Sequence, residues 1–380
     1  MKYRTYLIII IPLFFTNGGM AQYLLEKTGE FHINSLYPVG MIDYLPSDGL
    51  YLGYVNKLSE GMEIAVFSEN GEILISKNLH GEGPEEYVTT LNGLGFSEEG
   101  DIWVQTSQQL LLYDKKLNLI DRIKHQSSLS YHLSGRPKKA SWFYKNDNSS
   151  NLSLIVNPSK VGNFLRKIDF ENTMLIEIFD LMENRTYKIA PLSDRPQYKG
   201  FDMTVSAMYA PIYCLDREEN KLYLSTKLDD EITVYDLNTD KVMSRIKISH
   251  SAYTSLKTIP ITRKSLPSYN NRISLAAVNE RIYKLAGNLI ALEYIREIPY
   301  GTYEKKIADD PNYHHLQDPA YHLLILFDHS KQVSSDDISI PNGIIQVVLP
   351  NNRFLIQLIN PDVEEEFFRF GLYKLTEKNK

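Results

Sequence analysis

The sequence predicts an all-β protein, a six-bladed β-propeller built from four-stranded antiparallel blades. Three observations predict it. One short strand pattern returns six times, tight polar turns frame each copy, and the two ends of the chain hold complementary parts of a last unit.

The recurring pattern is apolar, any residue, apolar, aromatic, often followed by Asp. It reads IAVFS to Ser68, LLLYD to Asp114, IEIFD to Asp180, ITVYD to Asp236, LILFD to Asp328 and FGLYK to Lys374. The aromatic positions are Phe67, Tyr113, Phe179, Tyr235, Phe327 and Tyr373, at spacings of 46, 66, 56, 92 and 46 residues. Six copies of one strand pattern predict six copies of one structural unit. After each copy comes a polar turn, such as ENG at 69–71 or LNTD at 237–240, and then another strand. Before each lies an apolar run such as LYLGYV, DIWVQT or KLYLST. Helix-period patterning is scarce, and the strands are continuously apolar, as expected of sheets covered on both faces.

The ends supply the third observation. The copy around Tyr373 has almost no chain left for an outer strand, whereas EFHINSL at 30–36 has no unit of its own. The N-terminal strand is therefore expected to complete the last blade, closing one domain over residues 22–380 and removing an open sheet edge.

Residues 1–21 read as a secretory signal peptide. Lys2 and Arg4 precede a short apolar run, and Gly19 and Ala21 occupy the positions that a signal peptidase reads. The mature chain then begins at Gln22, and its formal charge moves from −6 to −8. That acidity argues against nucleic acid or an anionic membrane as partner. No later segment approaches the length of a membrane span. Gln22 stands where a lipid-anchored protein needs cysteine, so the expected product is an exported monomer without a lipid anchor, periplasmic or extracellular. The one cysteine, Cys214 in APIYCLD, reads as a small apolar core residue, as do Trp103 and Trp142.

Residues 80–87 read HGEGPEEY. A phosphate loop needs free backbone N–H groups followed by Lys and Ser or Thr, but here Pro84 removes a donor and three carboxylates repel an anion. Glu82, Glu85 and Glu86 are too few oxygen ligands for a hard cation. The structural reading prevails: glycines permit positive φ and proline stiffens a turn between blades. The stretch resembles the G-x-G-P-x-E-aromatic connection of NHL-like propellers and of the TolB-like six-bladed families of exported bacterial proteins, through Gly81, Gly83, Pro84, Glu86 and Tyr87. Glu85 stands where a glycine is common, and the motif occurs once rather than in every blade. The resemblance implies a binding or scaffolding role and carries over no catalytic residue.

Loop lengths are asymmetric. Turns joining first to second and third to fourth strands are short, KNDNSSN at 145–151 being the longer exception. The long insertions, 125–139, 157–172, 191–207, 249–279 and 297–320, all fall at the opposite face, where such scaffolds carry binding sites. Segment 297–320 is the richest, with Tyr300, Tyr303, Asp309, Asp310, Tyr313, His314 and His315. Tyrosines beside carboxylates suit a peptide or a sugar, and suit equally a lid packed on the next blade. Adjacent histidines in an extended segment point opposite ways and so rarely share one metal ion. Segment 191–207 adds Arg195, Tyr198 and Asp202, in a composition that reads first as a solvated turn.

Catalytic templates are missing: there is no G-x-S-x-G, no H-E-x-x-H and no paired cysteine motif. The expected function is non-enzymatic, with no cofactor and no metal: an exported propeller holding a cell-envelope protein, peptide or glycan on its long-loop face. The alternative is a lactonase-type hydrolase with a divalent metal in the central channel. A structural spacer of the envelope is a third reading.

Overall fold

In a computed structural model of the chain, the described residues are 21–57, 61–125, 136–147, 151–157, 164–166, 172–195, 203–205, 210–251, 275–360 and 366–378. Residues 1–20 of the expected signal peptide therefore lie outside them.

The chain forms a six-bladed propeller of antiparallel sheets, as the repeat predicts. From the inside outward, blade 1 is Val39–Leu45, Leu50–Lys57, Gly61–Ser68 and Ile73–Lys77. Blade 2 follows with Leu91–Phe96 to Leu119–Lys124, blade 3 with Ser141–Tyr144 to Arg185–Pro191, and blade 4 with Pro211–Asp216 to Lys241–Lys247. Blade 5 runs from Val278–Lys284 to Ile338–Ser339. Blade 6 has Gly343–Leu349, Arg353–Leu358 and Phe367–Glu377 from the C-terminus, and its outermost strand is Tyr23–Asn34. The terminal strands pair antiparallel from Tyr23↔Glu377 to Asn34↔Phe367, so the ring closes as expected, through a longer strand than the segment 30–36 alone. Ile33, buried to 1% exposure, and Phe31 pack with Tyr51, Phe67 and Phe370 between blades 6 and 1.

All six aromatics of the repeat lie on third strands and are buried, Tyr373 being the least so. In blades 1, 2, 4 and 6 the pairing of third and fourth strands shifts by one residue at this aromatic: Val66/Phe67, Leu112/Tyr113, Val234/Tyr235, and Leu372/Tyr373 opposite Lys27/Gly29. Such a bulge increases local twist. The aromatic thus sits where the outer strand turns away from the inner three, and it fills the wedge between neighbouring blades.

Side chains of the inner strands clasp a neighbouring blade. Asp43 accepts from the N–H of Phe96 at 2.9 Å, and Trp142 Nε1 donates to the Phe96 carbonyl at 2.8 Å. Asn279 Nδ2 donates to the Thr226 and Asp229 carbonyls, and Arg281 to that of Ile345. Gln346 Oε1 accepts from the Met41 N–H. These bonds satisfy backbone groups that the ends of adjacent sheets would otherwise leave buried and unpaired. Cys214 packs against the core between blades 4 and 5, where burial pushes its thiol pKa up.

Because each sheet alternates direction, second-to-third connections and blade-to-blade connections leave from the same end. All five long connections do so. The whole of 297–320 is described, while much of the other four lies outside the described residues. Phe164–Arg166 pairs antiparallel with Met203–Val205, so the insertions 157–172 and 191–207 meet there. Among the described residues, no helix is long and apolar enough to cross a membrane.

Candidate functional site

The connection from blade 1 to blade 2 explains HGEGPEEY residue by residue. Glu86 folds back so that its carboxylate accepts from the Gly83 N–H at 2.8 Å. A Cβ on Gly81 would lie 2.0 Å from Glu86 Oε2, so only glycine admits that carboxylate. Tyr87 is 2% exposed and plugs the core between blades 1 and 2, with His80 edge-on to its ring. Blade 2 holds the loop from below: Tyr113 donates to the Glu85 carbonyl at 2.7 Å, and Arg122 to the carbonyls of Pro84 and Glu86. The stretch is a structural joint, but its glycines serve by making room for the Glu86 carboxylate and not by the expected positive φ, which neither Gly81 nor Gly83 adopts.

The insertion 296–321 is not a plain loop. Tyr300–Asp309 is an α-helix, α1. Pro299 enters it with extended backbone, and its carbonyl accepts from Thr302 and Tyr303. Tyr303, Lys306 and Ile307 are half-buried, at the spacing of one helical face. Lys306 is the central strut: its ammonium pairs with Asp318 at 2.8 Å and sits 4.9 Å from the centre of the Tyr313 ring. Tyr313 also donates to Asp318, at 2.9 Å, and its ring meets Tyr303 at 6.0 Å. Asp318 further accepts from the Ala320 N–H. Burial alone would raise the Asp318 carboxyl, but the hydrogen bonds from Lys306 and Tyr313 outweigh it and hold its pKa below the usual 3.8.

The expected site residues divide accordingly. Tyr300 is 65% exposed, and Asp309 and His314 are also exposed. Asp310 is exposed but accepts from the Asn312 N–H, ending the helix in a tight turn. His315 points inward, 1% exposed, with Nε2 at 2.7 Å from the Arg296 carbonyl and its ring edge-on to Tyr321. The two histidines thus face opposite ways. Tyr303 and Tyr313 pack against the core between blades 3, 4 and 5.

Arg195, expected in a solvated turn, is instead 1% exposed. It lies 3.0 Å from Asp229 and 3.7 Å from Glu231, and it donates to the Leu224 carbonyl. Its guanidinium fastens the end of blade 3 to blade 4, so it presents no group to a ligand. Tyr198 and Asp202 lie outside the described residues. Sequence reasoning missed Lys306 and Asp318. The Pro299 start and the 303/306/307 spacing were the available signals.

The inner strands carry a second polar region. In blades 1, 2, 5 and 6 the first and second strands are also out of register, leaving Ile42, Asn92, Glu280 and Gln346 as extra residues. Bulges re-aim side chains in this way. Lys138 and Lys139 pair in parallel with Gly93 and Leu94, as a fifth strand on the channel side of blade 2. Just before them, Arg136 bridges Tyr54 at 2.7 Å and Gln346 at 2.8 Å, joining blades 1 and 6. Lys139 pairs with Asp43 at 2.5 Å, and Lys227 with Glu280 at 3.0 Å. Glu293, fully buried, holds His322 at 2.6 Å and Tyr283 at 2.5 Å. Burial opposes its ionisation, but the hydrogen bond from His322 and the nearby Arg281 lower its pKa. Each of these carboxylates therefore already has a cationic or protonated partner. Among the described residues, no three His, Cys, Asp or Glu side chains gather as metal ligands.

No family model matches this sequence, and no curated protein matches it. Solved structures do. A member of the DUF4221 family from Bacteroides vulgatus has a TM-score of 0.67 at 15% identity, over 95% of this chain and all of that one. A Bacteroides fragilis protein whose description proposes export has a TM-score of 0.51 at 11% identity, over 94% and 99% of the two chains. At these identities the likeness is one of fold.

Proposed function

We propose that this chain is an exported, non-enzymatic propeller that holds a partner, a protein, peptide or glycan of the cell envelope, on its long-loop face. The observation that carries the reading is the buttressed helix α1. Its inner side is fixed by Lys306, Tyr313 and Asp318, while Tyr300 and its neighbours face solvent on a rigid mount. Exposed apolar residues from other connections of the same face, Leu36, Val88 and Ile359, favour a macromolecular partner. The G-x-G-P-x-E-aromatic joint supports a TolB-like or NHL-like affiliation. The small-residue pattern at 19–21 supports cleavage before Gln22, leaving residues 22–380 as the mature domain. The paired state of Asp43, Glu280 and Glu293 disfavours a channel metal.

The test compares the mature chain with a Tyr300→Ala, Asp309→Ala, His314→Ala variant. Both are cross-linked into envelope extracts and applied to glycan arrays. The proposal predicts that specific captures of the mature chain are lost in the variant. Captures that survive it unchanged would sink the reading.

A further inference from the structure

The closure of blade 6 leaves a reactive residue at the chain end. Cleavage after Ala21, the reading on which this inference rests, makes Gln22 the first residue of the mature chain. Gln22 is exposed and stands one residue ahead of Tyr23–Asn34, the strand that closes the ring. Its carbonyl accepts from the Lys378 N–H at 2.8 Å, and its side-chain Nε2 donates to Asp336 of blade 5 at 2.9 Å. Asp336 and the adjacent Ser335 are exposed as well.

A ring closed by its N-terminal strand has a weakness. An aminopeptidase starts at a free α-amine, and exposed chain ends are where proteolysis concentrates. The first residues that it would reach are structural. Tyr23 pairs with Glu377, and Tyr23 and Leu25 pack against the core between blades 5 and 6. Their loss would reopen the sheet edge that closure removes.

Glutamine at a chain end can block that attack by itself. Its α-amine, with an ordinary pKa of about 8, is partly uncharged near neutral pH and so nucleophilic. The side-chain amide belongs to the same residue, so attack on Cδ is intramolecular. The bond from the α-nitrogen to Cδ forms and the Cδ–Nε2 bond breaks. Nε2 leaves as ammonia, taking one proton from the α-nitrogen. No oxidant, reductant or second substrate enters. The fold accommodates the product, because the Gln22 carbonyl that Lys378 holds takes no part in ring closure. The bond from Nε2 to Asp336 is lost, but Asp336 is exposed and water replaces the amide. The Ala21 carbonyl, which accepts from the Ser335 N–H at 3.1 Å, leaves with the signal peptide, and the exposed Ser335 is hydrated in the same way. We propose that Gln22 is a modification site, converted to N-terminal pyroglutamate, and that this lactam shields the ring-closing strand from aminopeptidases.

Peptide mass spectrometry on the full chain, exported and processed by cells, tests this. The N-terminal tryptic peptide, residues 22–27, is expected to be lighter than QYLLEK by one ammonia. A synthetic QYLLEK carried through the same digestion measures the cyclisation that handling alone produces. The purified protein should lose no residue to a broad-specificity aminopeptidase until a pyroglutamyl peptidase has removed the lactam. Gln22→Ala, which cannot cyclise, should be trimmed directly. A peptide that begins at Gln22 with a free amine, or is cyclised no more than the synthetic control, overturns the inference and leaves the cleavage reading standing. A mature chain that begins at any other residue overturns both, and its mass tells the two failures apart. Trimming of the parent as fast as Gln22→Ala would overturn the shielding.

Discussion

Two connections of the long-loop face look alike in sequence and behave differently in the fold. Residues 79–87 and 296–321 are both rich in carboxylates, and both carry aromatics and histidine. In the first, the motif residues turn inward: Glu86 onto Gly83, Tyr87 into the core, the Glu85 carbonyl onto Tyr113. In the second, an inner layer holds up an outer one, with the exposed Tyr300 at its start. A short connection has just enough chain to make its own turn. A long one can build a support and still present a surface. Residue type alone does not distinguish the two, because tyrosine and carboxylate serve both purposes.

The largest expected effect is in the short connection. Tyr87→Ala removes a ring that is 2% exposed, between blades 1 and 2, and should cost about 3–5 kcal/mol in urea unfolding. A cost under about 1 kcal/mol would mean that the joint collapses without penalty, and that the motif is not the structural element described.

Next comes the strut of the insertion. Asp318→Ala leaves Lys306 and Tyr313 without their shared acceptor and should cost about 2–3 kcal/mol, with faster amide exchange over 300–321. The same carboxylate sets a pH dependence. Its folded pKa is depressed, so its stabilisation is fully present above the unfolded value near 3.8 and is lost as pH falls through the folded value. Exchange over 300–321 should therefore rise below about pH 4 in the parent and respond less in Asp318→Asn. Equal acid sensitivity in both proteins would remove Asp318 from the account.

A smaller effect isolates the cap. Glu86→Ala should cost about 1–2 kcal/mol, since the Gly83 N–H loses a charged acceptor in a half-buried loop. Substituting the exposed Glu82 and Glu85 together should stay within about 0.5 kcal/mol. If the two variants unfolded alike, the carboxylates of this joint would be interchangeable, and the position of Glu86 in the motif would carry no meaning.

The fold was legible because each blade repeats one demand. A third strand must bring an aromatic to the wedge between sheets, and Phe67, Tyr113, Phe179, Tyr235, Phe327 and Tyr373 meet it with a recognisable local pattern. Closure was legible from what the termini lacked. The clasp residues Asp43 and Gln346 were not, since each is one polar residue in an apolar strand and its partner lies in another blade. Arg195 was misread for a related reason. PLSDRPQYKG looks solvated, and nothing local reveals that Asp229, 34 positions later in the chain, will bury its guanidinium. Helix α1 was hidden by Gly301 and by a narrow inner face of three half-buried residues, too weak a period to stand out in a chain of strands.

The smallest expected effect on stability is the most informative for function. Tyr300 begins α1, is 65% exposed, and its hydroxyl faces the neighbouring Glu304 carboxylate, which raises its pKa. Exposed positions of this kind change stability by less than about 0.5 kcal/mol on substitution. Tyr300→Ala should therefore unfold at the parent's urea midpoint and show unchanged amide exchange over 303–321, because Lys306, Tyr313 and Asp318 keep their contacts. An exposed aromatic on a fixed mount is the kind of residue that dominates an interface when truncated. Loss of partner capture by Tyr300→Ala, at unchanged stability, would separate the outer layer of the insertion from its support. If stability fell instead, Tyr300 would belong with Tyr87 as a fold residue. The contrast between the two connections would then reduce to one of length.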